Sequence, residues 1–466
     1  MRLLSPRAAL VAAATAYAAG FGGRSVLRNH AFETGRFDLG NMVQAVWSTA
    51  HGHPLRVTGL HGKQISRLAA HVDPILVLFA PLWRIWPSPD MLLVAQAVAV
   101  AAGAFPVFAL ARKHLSSERA ALGFAFVYLL LPAVEWLTLN EFHPVALACP
   151  LLLFAFRYLD DDRLVPFAVF ALLAAAAKEE VALVVAGFGV WYGIARRRQE
   201  AGAAVVAAGA AWFAVAVGVV VPHFNHGSTS SFYSRYRDVG GSPGGVLRTA
   251  VTHPGRLLGK AFDERGLRYL ADLAVPLAGL FLLAPLLLVA ALPELALNLL
   301  SDTKTQQSIH FHYTAGLIPP LVVASVLGAA RLARGSRRRA VAISVLAVAV
   351  ALGANVWLGA LFKGYVSVSR HDRIATRALR LIPPNAVVSA TNTLGAHLSA
   401  RRRILSFPLR ADARWIAVDA TRLSYGDHSS GGRRAKAALT RLRRDQGWRV
   451  VFARDGVFVF RRVGAR

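Results

Sequence analysis

Apolar side chains fill this chain in long runs, and polar positions gather in the gaps between them. Read in order, the runs predict helices near 7–23, 91–111, 119–136, 144–158, 164–177 and 180–195, then near 203–222, 273–300, 313–333 and 340–361. The hydrocarbon core of a bilayer requires about 20 mostly apolar residues of a spanning helix. The stretches Met91 to Ala111, Ala203 to Val221 and Ala340 to Leu361 come close to that length. The run from Asp73 to Trp86 is short, and Pro74, Pro81 and Pro87 interrupt or bound it. It reads as an interfacial or re-entrant piece of the first large loop.

From residue 364 the pattern changes. Ile374, Ala378, Leu381 and Ile382 fall on one side of a helix over 371–382, and β-prone runs follow at 386–390, 415–419, 449–453 and 457–460. Asp455-Gly456 between the last two is a hairpin signal. The expected architecture is an all-α polytopic transmembrane bundle of about 11 helices over 1–362, followed by a small basic α/β domain over 363–466. Large outer loops are expected near 24–90 and 223–272, the second containing the flexible stretch Gly240 to Gly245.

Composition agrees with a membrane protein: 55% of the 466 residues are hydrophobic and 17% are charged. The lone cysteine, Cys149, excludes an internal disulfide framework and a multi-cysteine zinc site. The net charge of +28 changes the picture more. Part of it sits in short loops, where basic residues set orientation. Arg2 and Arg7, then Arg112, Lys113 and Arg119, then Arg196 to Arg198, then Arg331, Arg334 and Arg337 to Arg339 all face the cytoplasm if the 273–300 run crosses twice, broken around Pro285. That places the C-terminal domain outside the cell, since long domains translocate largely regardless of charge. The turn Asp160-Asp161-Asp162 runs against this trend. The segment Ala8 to Phe21 is read as an uncleaved first helix, with a cleaved signal peptide as the alternative. The basic tail suits anionic lipid headgroups or polyanionic envelope polymers, and no nucleic-acid module is recognisable.

Polar residues that ordinary packing does not require collect at the outer helix ends. They are Asp38 and Gln44; His51, His53, His61, His71 and Asp73; Asn140, Glu141 and His143; Lys178, Glu179 and Glu180; and His310, His312 and Tyr313. Ionisable groups beside hydrocarbon are costly, so such a cluster is a functional candidate. Each has a plainer reading: Asp38 as a helix cap, Glu141-Phe142-His143-Pro144 as a polar turn, Lys178 and Glu179 as a self-neutralising pair, and His310 and His312 as interfacial side chains. No spacing resembles HExxH, so no metal or other cofactor is assigned, and a divalent cation stays open. A P-loop, a dinucleotide-binding glycine pattern and a GxSxG elbow are all missing, which argues against ATP-driven work and serine hydrolysis.

Phe37-Asp38-Leu39-Gly40, His71-Val72-Asp73-Pro74, Gln96, Glu141-Phe142-His143-Pro144, Lys178-Glu179-Glu180 and His312-Tyr313 together resemble a family of multipass bacterial membrane proteins classed as a domain of unknown function. The likeness runs from about residue 30 into the C-terminal domain. That family in turn resembles, more distantly, the GT-C glycosyltransferases, which have many spans, a large first outer loop and a catalytic acid shortly after the first helix. The resemblance implies transfer of a sugar from a polyprenyl-phosphate carrier to an envelope glycan or lipid acceptor at the outer face, with Asp38 as catalytic base. The commonest GT-C pattern pairs that acid with an adjacent one, whereas here Glu33 is five residues away. On this reading Lys178, His310 and His312 would meet the lipid phosphate, with Arg67 beside them. Glu141 and His143 would orient the acceptor; His71, Asp73, Glu179, Glu180 and Tyr313 complete the expected substrate-binding set. A transporter or lipid flippase would instead place polar groups near the midplane. A non-catalytic envelope-assembly scaffold would leave Asp38 and Glu141 apart in space.

Overall fold

The computed structural model describes residues 5–228, 231–364, 366–424, 426–427 and 432–464, so Arg2 lies outside the described residues. The first helix, Pro6–His30, starts at Ser5, whose side chain accepts from the Ala8 N–H, and buries Leu10, Ala14, Tyr17 and Phe21 along one stripe. Among the described residues, three helices are long and apolar enough to cross a membrane: Pro89–Leu115, Gln199–Phe224 and Arg337–Leu358. Glu118–Leu129 and Pro132–Leu139 make a fourth crossing if taken together, bent by 49° where Pro132 cannot continue the first helix.

The expected count of about eleven is not reached by length. Leu164–Ala175 and Val181–Ala195 are apolar but hold 12 and 15 residues. At 1.5 Å per residue such helices fall short of a hydrocarbon core about 30 Å thick. The 273–300 run is more broken than two helices about Pro285. Ala278 and Gly279 both adopt left-handed backbone, splitting Val275–Leu277 from Leu280–Leu283, and Pro285–Leu288 and Leu292–Leu299 follow. The piece expected at 73–86 is a 3-10 turn, Pro74–Phe79, running into a short helix, Ala80–Ile85.

Three of the four basic clusters meet on one side. Arg7 and Arg112 both pair with Glu118, at 2.9 and 3.7 Å; Lys113 reaches Asp160 and Asp161 at 2.6 and 2.8 Å; Arg198 lies 3.9 Å from Asp162. The acidic turn that ran against the charge trend is therefore a counter-ion for it.

Two short strands, β1 (Arg56–Thr58) and β2 (Gln64–Ser66), form an antiparallel ribbon in the first large loop. The tail forms its own sheet from β3 (Val388–Ala390), β4 (Ile404–Ser406), β5 (Trp415–Asp419), β6 (Trp448–Arg454) and β7 (Val457–Arg462), in the order β4-β3-β5-β7-β6. β3 pairs parallel with β4 and β5, and the β6–β7 hairpin adds antiparallel. Asp455 and Gly456 turn that hairpin with positive φ at both positions, as the sequence pattern implied. The helix Arg370–Leu379 opens on a capping box between Ser369 and Asp372 and lays Ile374, Ala375 and Ala378 into the tail's core.

Candidate active site

Asp38 sits in the first turn of a second helix, a π turn over Arg36–Gly40 continued by Asn41–Ala50. The N-cap position is Gly35, which has no side chain to offer, so Asp38 is not the cap. Its carboxylate instead lies 3.4 Å from His143 Nε2, and its side chain is 53% exposed, open for contact. His143 Nδ1 donates to the Asn140 carbonyl at 2.8 Å. A carbonyl can only accept, so Nδ1 carries a proton and Nε2 is the nitrogen that faces Asp38. Partial desolvation by the surrounding cluster opposes the charge of Asp38, but the hydrogen bond and charge of His143, and then the charge of Arg67, hold it below its ordinary value.

Glu141 has left-handed backbone, φ 51°, uncommon for a non-glycine residue and concentrated at functional sites. Its carboxylate accepts from Gly35 N at 3.1 Å and Leu39 N at 2.8 Å, satisfying two of the N–H groups that a helix start leaves without partners. Glu141 thus faces the backbone under Asp38. Burial and the neighbouring Asp38 charge push it up to about 8. Gln96 clamps the turn from below: Nε2 donates to the Thr138 carbonyl at 3.1 Å, and Oε1 accepts from His143 N at 2.9 Å.

His312 stacks on His143 with ring centroids 3.8 Å apart, and Asn140 Oδ1 accepts from its Nδ1 at 3.1 Å. Burial, then His143 and Lys178, lower His312 well below its ordinary pKa. The adjacent Tyr313 accepts at its hydroxyl from Arg235 Nη1 at 3.2 Å, and Lys178 Nζ stands 5.6 Å from its ring centroid. Lys178 pairs with Glu180. Burial opposes its charge, but Glu180 and Glu179 outweigh it and raise its pKa. Glu179 accepts from Val72 N at 2.9 Å and holds His71 Nδ1 at 2.9 Å, while His71 stacks on Phe232 at 4.5 Å.

Asp73 lies behind this layer. It is fully buried against Arg67, Nε to Oδ2 2.9 Å, and burial pushes it up to about 6. His310 is separate: it faces Trp136 at 4.8 Å and Ser308, away from the stacked histidines. His312 opens the 3-10 turn His312–Thr314 and His310 precedes it, so their period-two spacing does not place them on one side. His51 stacks on Trp47, and the exposed His53 and His61 stay outside the cluster. Gln44 reaches the tail, donating to the Arg401 carbonyl at 3.0 Å.

Two side chains stand in the site that the sequence pattern did not single out. Arg235 comes from the turn Ser231–Val239, where aromatic and basic residues interleave. Asn392 comes from the tail: its Oδ1 accepts from Arg36 N at 3.0 Å and Phe37 N at 3.4 Å. Among the described residues, no group of three histidine, cysteine or acidic side chains has the geometry to hold a metal ion. An apolar cavity of about 350 Å³ opens beside the cluster, lined by Ile75, Phe79, Ala99, Leu147, Phe154 and Phe170. Its wall begins two residues from Asp73.

The fold is similar to that of ArnT from Cupriavidus metallidurans, solved with bound undecaprenyl phosphate, at a TM-score of 0.55 and 14% identity over 98% of each chain. ArnT in the apo state aligns at a TM-score of 0.48 and 13% identity, over 91% of this chain and 93% of that one. No functionally curated protein matches the sequence. The expected mostly helical architecture with a small C-terminal sheet is observed, in a fold similar to that of ArnT, and the motifs that carried the expectation all lie within residues 28–459, the segment matched by one family profile. The chain belongs to that family, the predicted membrane proteins of DUF2079.

Proposed function

We propose that the protein transfers a sugar from a polyprenyl-phosphate carrier to a hydroxyl of a cell-envelope glycan or lipid, at the outer face of the membrane. The observation that carries this is an accessible carboxylate, Asp38, joined through His143, His312 and Tyr313 to the cations Lys178 and Arg235. In the reaction Asp38 takes the proton from the acceptor hydroxyl as its oxygen attacks the anomeric carbon. The bond from that carbon to the carrier phosphate breaks, and configuration inverts. Lys178 and Arg235 face the charge that develops on the departing phosphate. The cavity behind Ile75 takes part of the prenyl chain. The arriving phosphate also raises the basicity of Asp38, since a nearby anion disfavours a second negative charge.

ArnT supports this reading by fold and by the undecaprenyl phosphate it binds. A scaffold role predicts Asp38 and Glu141 apart, yet Glu141 holds the N–H of Leu39, the residue after Asp38. The test is complementation of a deletion strain by wild type and by Asp38→Asn, with expression matched and lipid-linked sugars and envelope glycans profiled. A glycan restored by wild type, together with lipid-linked sugar accumulating in the Asn strain, supports transfer. Full restoration by Asp38→Asn refutes it.

A further inference from the structure

The helix that carries Asp38 begins without a cap of its own. Gly35 occupies the N-cap position, and the first N–H groups of a helix have no partner within it. Here Gly35 N and Leu39 N are taken by Glu141, and Arg36 N and Phe37 N converge on one atom, Asn392 Oδ1. Asn392 belongs to the tail, more than 350 positions along the chain. Its own amide is fixed: Nδ2 donates to Ser424 Oγ at 2.9 Å, and its backbone N–H donates to Asp427 Oδ1 at 2.8 Å. That fixes which end of the side chain faces the turn, and it is the accepting end.

The surrounding surfaces are matched closely. A β-carbon on Gly40 would lie 2.6 Å from Ser399 Oγ, and one on Gly395 would lie 3.0 Å from Arg36 Cβ. The buried Arg36 guanidinium crosses into the tail as well, donating to Ser406 Oγ at 2.7 Å and to the carbonyls of Thr58 and Ile404 at 2.7 and 2.9 Å. The tail therefore packs against both ends of the π turn, and Asn392 occupies the capping place itself.

We infer that Asn392 is a positioning residue for Asp38: it caps in trans the turn that aims the carboxylate. The tail domain is then part of the active site as well as a basic surface beside it. This rests on the transferase reading for its functional consequence, while its structural half stands alone.

The experiment uses full-length protein carrying Asn392→Ala or Asn392→Asp. The Asp variant keeps an acceptor oxygen at the same place, and aspartate is among the best capping residues. Amide hydrogen exchange over residues 33–42, thermal unfolding and complementation are measured together. Asn392→Ala is expected to speed exchange at Arg36 and Phe37 roughly tenfold or more, with the unfolding midpoint retained, and to reproduce the glycan defect of Asp38→Asn. Asn392→Asp is expected to restore both. The inference is overturned if exchange at the turn does not change, or if it rises across the whole tail with a lowered midpoint. It is also overturned if Asn392→Ala complements fully where Asp38→Asn does not. Full complementation by Asp38→Asn itself would sink the transferase reading, and the exchange result would still decide the cap.

Discussion

Asp38 and Glu141 lie close together and resolve their repulsion by dividing the work: one carboxylate stays ionised and accessible, the other is buried under the turn. The division has a pH signature. Glu141, pushed up to about 8, keeps a proton in the folded chain that the unfolded chain has already released. The folded state thus binds the extra proton between the ordinary glutamate range and about 8, and stability falls as pH rises through that window. Thermal unfolding from pH 5.5 to 8.5 should show a steeper fall for wild type than for Glu141→Gln, and parallel curves would remove Glu141 as the source. Arg235 gives a second residue-scale expectation. Arg235→Ala removes a donor to Tyr313 and, in the proposed reaction, a cation facing the departing phosphate. Transfer should drop on the order of 10²-fold, as for loss of one preorganised donor, with unfolding unchanged, read by turnover of lipid-linked sugar in membranes.

Legibility at this scale followed sequence distance. Glu141 and His143 stood out because they are polar residues in one short motif between apolar runs, and so did His312-Tyr313. Arg235 and Asn392 are ordinary loop and helix-start residues, made significant only by chain segments that return from 80 and 350 positions away. Their roles were beyond any local pattern.

Among the elements, the pair Val181–Ala195 and Gln199–Val215 shows how the membrane body is held. Glycines bring the two backbones together: a β-carbon on Gly202 would sit 2.7 Å from Gly193 N, and one on Gly189 would sit 2.8 Å from the Gly202 carbonyl. Between apolar helices in lipid, such close approach replaces the hydrophobic driving force. Gly202→Val should therefore destabilise by about 1–3 kcal/mol or more through overpacking, measured as a lowered unfolding midpoint in detergent. An unchanged midpoint would show that the helices separate freely. The apolar runs disclosed where these helices lie. They did not disclose the breaks within 273–300, because a left-handed Ala278 carries no signature that distinguishes it from a helical alanine.

In the tail, His371 links Arg370–Leu379 to the sheet: Nε2 meets Asp419 at 2.7 Å and Nδ1 meets Asp455 at 2.9 Å. Burial alone would lower it, but the two carboxylates raise it above its ordinary value. That contribution is present in acid and lost as pH rises through the raised value. Exchange from the Arg370–Leu379 helix, corrected for intrinsic rate, should increase from pH 6 to 8.5 in wild type and stay level in His371→Gln.

For the whole molecule, the ion pairs that gather Arg7, Arg112, Lys113 and Arg198 define one face, and the docked tail shares the other with Asp38. If the tail is outside the cell, a cysteine at Asp412 should react with a membrane-impermeant maleimide in intact cells, and one at Ser336 should not. Cys149 is buried and leaves the background silent. Labelling at Ser336 alone would reverse the orientation.

The cap supplied by Asn392 also has a consequence in time. A ribosome adding about 5–20 residues per second reaches Asn392 roughly 20–70 seconds after it has made Asp38. Through that interval the turn that carries Asp38 exists without its holder. If the proposed transfer holds, a chain that stops short of Asn392 is inert.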